Sequence, residues 1–108
     1  MKGTHLGEFE ELVLLTIGVL KEEAYGVSIK SDIRNRSGRN PSIGALHSAL
    51  TRLEKKGFVT THMEGATQDR RGRRKRFYIL SNMGIETLRG VYEMRKEMVQ
   101  LIPNLYMS

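Results

Sequence analysis

The densest chemical signal in the sequence is Arg70-Arg71-Gly72-Arg73-Arg74-Lys75-Arg76, six cations in seven residues with no acid among them. Guanidinium and ammonium groups crowded this closely repel one another unless an anion lies against them, and phosphate fits their donors best. The chain carries 18 Lys and Arg against 12 Asp and Glu, a formal charge of +6. Outside this run the two signs balance at 12 each, so the excess charge is one local feature. Such a stretch in a small domain points to nucleic acid; a solvated, flexible basic loop is the plainer reading.

A second set of residues lies between Ser42 and Gly57. Ile43, Leu46, Leu50 and Leu53 recur at spacings of three and four, which predicts a helix with these four pointing inward. Ser42 is a suitable N-cap, since its hydroxyl can accept from a free backbone N–H two or three residues on. Gly44, Ser48, Thr51 and Lys55 then point outward, flanked by Ala45, His47 and Arg52, with Glu54 the one acid toward the side. Small residues let a helix approach a duplex closely, while hydroxyls and Arg bond to phosphates and base edges. An ordinary solvated helix face mixes Glu with Lys.

Other chemistries find no residues to carry them. His5, His47 and His62 are dispersed and lack a spaced carboxylate pair, so no metal ligand set is legible. Cysteine is absent, which removes thiol catalysis and thiolate zinc sites. No nucleophile elbow or phosphate-binding loop spacing occurs, so neither an enzyme nor a cofactor is expected. Polar residues follow Met1, giving no signal peptide, and the longest apolar runs fall far short of the ~20 residues of a membrane span. A cytoplasmic protein with no membrane partner is the expectation.

The 108 residues, 39% hydrophobic and 28% charged, are an ordinary mix for one small domain. A helical pattern runs from Leu6 to Leu20 and is widened by Leu14 and Val19 beyond a single stripe, so it needs a second surface to bury against. A short helix follows over about residues 26–36 with Val27, Ile29 and Ile33. Residues 37–41 read as a turn ending in Pro41, and Gly57 sits where a left-handed C-cap would stop the third helix. Residues 58–63 and 75–80 are β-like runs joined by a Gly-containing loop, which suggests a hairpin with the basic cluster at its tip. Ser81 can cap a last helix carrying Leu88, Val91, Tyr92, Met98, Val99 and Ile102, stopped near Pro103. This order is a winged helix-turn-helix, mainly α with one β-hairpin. Residues 1–80 form the DNA-binding domain and residues 81–108 a C-terminal dimerisation helix. The helix after the turn enters the major groove, and the hairpin, or wing, lies along the adjacent backbone.

The residues from Ser42 to Gly57 resemble the recognition-helix signature of PadR-type transcriptional regulators. Tyr25-Gly26-Val27-Ser28-Ile29 is similar to that family's start of the second helix, and the run from Gly72 to Ser81 to its wing and entry to the last helix. Two departures stand out: His47 occupies the place of a customary Tyr, and Ile43 that of a common Pro. The resemblance implies a transcriptional regulator that binds double-stranded DNA as a homodimer, joined through the first and last helices, in a compact branch without a separate effector domain; a chain this short is expected to repress by occupying a pseudo-palindromic operator. The resemblance leaves room for a small-molecule effector, although the tryptophan pair some members use is absent, since this chain has no Trp.

The residues expected on DNA are therefore Ser42, Gly44, Ala45, His47, Ser48, Thr51, Arg52 and Lys55 from the recognition helix. From the wing come Arg70, Arg71, Arg73, Arg74, Lys75 and Arg76. The dimer interface is expected to use Phe9, Leu12, Leu88, Val91, Met98 and Ile102, because a domain this small cannot hide all its apolar surface alone. Two other readings use the same features: an arginine-rich RNA-binding segment that orders on contact, and a winged helix that binds protein, which would not require a basic wing.

Overall fold

The computed structural model describes residues 5–65 and 74–105. Helix α1 spans Glu8–Leu20 and ends in a single 3₁₀ turn, Lys21–Glu23. Helices α2 (Gly26–Ser37) and α3 (Ile43–Lys55) follow, then strands β1 (Val59–Glu64) and β2 (Lys75–Leu80), and helix α4 (Asn82–Leu101). The strands pair antiparallel, Val59 opposite Leu80 and Glu64 opposite Lys75. Tyr25 adds a single bridge to Phe77 on the far side of β2, and the Tyr78 amide donates to the Ala24 carbonyl at 2.9 Å. The wing is thereby stitched to the start of α2. This is the winged helix-turn-helix expected from the order of elements.

Local capping accounts for most boundaries. Ser42 Oγ accepts from the Ala45 amide and Ser81 Oγ from the Gly84 amide, each at 3.0 Å. Gly57, at φ +82°, turns the chain out of α3. The Phe58 amide then reaches back to the Leu53 carbonyl at 3.0 Å, the closing bond of a left-handed C-cap. Helix α1 begins at Glu8 rather than Leu6, because Gly7 takes the N-cap and its amide bonds to Glu10 Oε1 at 3.2 Å. Strand β1 is displaced by one residue from 58–63, because Phe58 serves the helix cap and the core before pairing begins.

The core comprises Val13, Leu14 and Ile17 of α1, Ile29 and Ile33 of α2, and Leu46, Ala49, Leu50 and Leu53 of α3, closed by Ala24, Phe58 and Val59. One inward assignment is corrected: Ile43 is 74% exposed. It occupies the first turn of α3, where the helix overhangs the end of the core, so a periodicity extrapolated back from Leu46 finds nothing to pack against.

Helix α4 starts against the core and then leaves it. Gly84 is its one buried residue, and a Cβ there would lie 2.1 Å from the Phe58 carbonyl oxygen. Glycine therefore sets how closely α4 meets the α3–β1 connection. Arg95 then ties α4 to α1, donating from Nε and Nη2 to the Glu11 carboxylate at 3.1 and 2.7 Å. Of the residues expected at a dimer interface, Phe9, Leu12 and Leu88 are half-buried against the chain's own core, Val91 is half-buried and Met98 and Ile102 are exposed. Phe9 lies under the Arg39 guanidinium, 5.1 Å from its ring centroid, on the side of the helix-turn-helix.

Candidate nucleic-acid interface

Helix α3 projects Gly44, Ala45, His47, Ser48, Thr51, Arg52 and Lys55 into solvent. A Cβ added to Gly44 would meet nothing within 4 Å, so packing inside the domain gives no reason for a glycine. The Ser42 hydroxyl is also at the surface, but its oxygen is occupied in capping. Together these residues make a surface of small groups, hydroxyls, an imidazole and cations, as the helical spacing predicts.

Arg52 sits at one margin of this surface, held by a group the spacing gave no hint of. Its Nε donates to Glu10 Oε2 at 2.6 Å, while Lys56 Nζ donates to Glu10 Oε1 at 2.7 Å and to the His5 carbonyl at 2.7 Å. Glu10 is buried. Burial pushes its carboxyl up, but the bonds from Lys56, Arg52 and the Gly7 amide outweigh that, and its pKa lies below the ordinary carboxylate value. Two cations of the α3 segment are thus anchored to α1, and the anchoring orients the helix.

On the wing, Arg74, Lys75 and Arg76 are exposed; Arg70, Arg71 and Arg73 lie outside the described residues. Arg76 Nη1 donates to Thr61 Oγ1 across the hairpin at 3.2 Å. Lys75 Nζ stands 4.5 Å above the centre of the Tyr25 ring, a cation–π contact. The Tyr25 ring packs on Phe77 at 5.3 Å, and Phe77 stacks on His62 at 5.6 Å. This row of rings stiffens the base of the wing and holds Lys75 beside the start of α2.

Between the first turns of α2 and α3 and the face of β2 lies an open groove of about 400 Å³, lined by Val27, Ile43, Leu46, Leu50 and Tyr78 with Lys30, His47, Lys75 and Arg76. Burial pushes the Tyr78 hydroxyl up, so it stays neutral and brings no charge to the groove. Helical spacing does not single out Lys30 for this surface; its Nζ donates to Asn40 Oδ1 at 2.9 Å and brings a cation to it. Arg39 does so on the opposite side, beside Ala45, where it also pairs with Glu8. The available signal was the pair Arg39-Asn40 immediately before the Pro41-Ser42 cap. Among the described residues no cluster of His, Cys, Asp or Glu could hold a metal ion, and no helix is long and apolar enough to cross a membrane.

A helix presented after a turn, stripped of acid on its outer face and flanked by a hairpin with cations, defines a winged helix-turn-helix of the DNA-binding type. The pattern describing the Transcriptional regulator PadR-like family matches residues 14–90, and the chain belongs to that family, whose members are in general DNA-binding regulators. Solved structures share the fold. A PadR family transcription regulator from Clostridium difficile is 24% identical with a TM-score of 0.73, over 94% of this chain and 100% of the other. A transcriptional regulator from Clostridium thermocellum is 22% identical with a TM-score of 0.68, over 92% of each chain. A PadR-like regulator from Bacillus cereus is 18% identical with a TM-score of 0.72, over 93% of this chain and 92% of the other. No curated protein matches the chain.

Proposed function

We propose that this chain is a sequence-specific DNA-binding regulator that represses transcription by occupying a pseudo-palindromic operator as a homodimer. The observation that carries the reading is the outer face of α3, where Gly44, Ser48, Thr51 and Lys55 are exposed with cations on both flanks. Such a face combines close approach with hydrogen-bonding groups for base edges, while the exposed Arg74, Lys75 and Arg76 supply charge for phosphates.

The homodimer is supported by α4, which leaves Tyr92, Met94, Met98 and Leu101 exposed on a helix about 30 Å long. A groove of about 430 Å³ between α1 and α4 is lined by Leu15, Leu88, Val91, Tyr92 and Val99, with Lys96 and the Glu11–Arg95 pair among them, and Leu15 and Val19 of α1 are exposed as well. Exposed apolar residues gathered on one helix, with a few charges among them, suit a protein interface. A two-fold pair would set two copies of α3 against successive major-groove turns, about 34–36 Å apart. Blocking polymerase by occupancy then needs no further domain, and an effector would release DNA by favouring a dimer whose helices miss that spacing.

The test combines sedimentation of the purified protein with selection of duplexes from a random pool. A dimer at micromolar concentration that enriches a two-fold symmetric sequence is expected. A monomer, or enrichment of structured RNA over duplex DNA, would overturn the reading. A reporter driven by the bound promoter should rise when the gene is deleted, and a fall would mean activation.

A further inference from the structure

The groove between the first turns of α2 and α3 is apolar at its centre and cationic at its rim. Ile43 is the first residue of α3 and is 74% exposed; Val27, in the first turn of α2, is 71% exposed. Both line the groove above Leu46, Leu50 and Tyr78, and Lys30, His47, Lys75 and Arg76 surround them. Among the described residues no carboxylate lines it.

Single apolar residues at a surface need no explanation, but two bulky aliphatic side chains over a shared apolar floor form a patch. Its rim decides what can cover it, because any occupant must bring anionic groups to the edges and apolar surface to the middle. Duplex DNA does so in its major groove, where phosphates border the groove and the C5-methyl of thymine is the apolar group on its floor.

The position on the helix agrees. In a helix-turn-helix the N-terminal residues of the recognition helix face the base edges. In the first turn of α3, Gly44 has no side chain, Ala45 has a methyl and Leu46 is buried. The capping Ser42 oxygen is committed to the Ala45 amide. Ile43 is the large exposed side chain of that turn, and it has no hydrogen bond to offer. It can discriminate bases only by packing.

Building on the DNA-binding reading above, we propose that Ile43, with Val27 beside it, reads thymine by packing against its C5-methyl in each half-site. This assigns the groove to operator DNA and makes Ile43 a specificity-determining residue.

Replacing thymidine by deoxyuridine removes that methyl and leaves base pairing intact. The duplex used is the one most enriched from a random pool by the full-length protein, with each thymidine replaced singly and then in symmetric pairs. Burying one methyl corresponds to about fourfold in affinity, so a single replacement in one half-site should weaken binding about fourfold and the symmetric pair about fifteenfold. Ile43→Ala should bind the thymidine and deoxyuridine duplexes equally at that position, whereas Ile43→Val should keep part of the difference. Because Ile43 is exposed, both variants are expected to melt like the parent chain.

If a duplex is enriched but no thymine methyl matters, or its effect survives in Ile43→Ala, the assignment is overturned while DNA recognition stands. If no duplex is enriched, DNA recognition fails and the assignment with it. Titration with benzoate gives the remaining arm: saturable movement of the Ile43 methyl resonances without DNA would assign the groove to an aromatic anion and overturn the proposal.

Discussion

Replacing Glu10 by glutamine should unsettle α3 more than the change of one atom suggests. The side chain of Glu10 is 8% exposed and lies against Lys56, 25% exposed, and Arg52, 53% exposed. Glutamine keeps the shape and one acceptor oxygen but leaves both cations facing a neutral amide. Breaking a fully buried ion pair costs about 3–5 kcal/mol, and breaking an exposed one about 0.2–1 kcal/mol. With the anion buried and the cations partly solvated, a loss of about 2 kcal/mol follows, between those two limits. In a domain of this size that lowers Tm by about 8–16 °C.

The pH dependence sharpens the test. The folded pKa of Glu10 lies below its ordinary value, so the unfolded chain takes up the proton first as pH falls. The stabilisation is therefore complete above the unfolded carboxylate pKa of about 4.3, and it is lost as pH falls through the folded value. The Glu10→Gln variant has no proton to take up at this position, so melting curves of the two proteins should diverge at neutral pH and converge as pH falls through the folded pKa of Glu10. Circular dichroism at fixed protein concentration and ionic strength measures this, fixed because the proposed dimer would make Tm concentration-dependent. A difference under about 2 °C at neutral pH, or one that does not shrink in acid, would refute the anchoring role.

Other outcomes follow from the same geometry. Gly84→Ala should destabilise by about 1–3 kcal/mol or more in urea melts, because the new methyl meets the Phe58 carbonyl; a gain, as helix propensity alone would give, would contradict the close approach. Arg74→Ala should weaken binding equally on selected and random duplexes and flatten the slope of log K against log salt by about 2, one phosphate per subunit. Thr51→Ala should instead cost about 1–3 kcal/mol per half-site, mainly on the selected duplex, and the reverse pattern in binding isotherms would exchange the two roles. Met98→Glu should shift the sedimenting species toward monomer, since the dimer would bury a poorly solvated charge; an unchanged dimer would place the interface elsewhere.

Several features were legible because their causes are local in the chain. The caps at Ser42 and Ser81 and the left-handed turn at Gly57 depend on a side chain and the backbone within three or four residues of it, so residue type and spacing sufficed. The inward face of α3 from Leu46 on follows from a period of 3.6, and the hairpin from two runs of β-forming residues on either side of a Gly-containing loop. The cationic run is visible as composition alone. From these, the order of elements and its resemblance to PadR-type regulators could be read in the chain itself.

Tertiary structure decided what depends on partners distant in the chain. Periodicity said that Ile43 shares a face with Leu46 but not that the core ends between them, and exposure of Ile43 is what makes a groove. Glu10 reads as one more acid in the first turn of α1, yet it meets Arg52 and Lys56 more than forty positions away. Gly84 reads as a weak spot in α4, yet the Phe58 carbonyl occupies the place of its side chain. Lys30 and Arg39 cancel against acids in the charge count, yet folding sets them on either side of α3. The physical reason is common to all four: a repeat in the chain fixes directions around an element's axis, whereas burial, pairing and close approach depend on what another element brings to the opposite side.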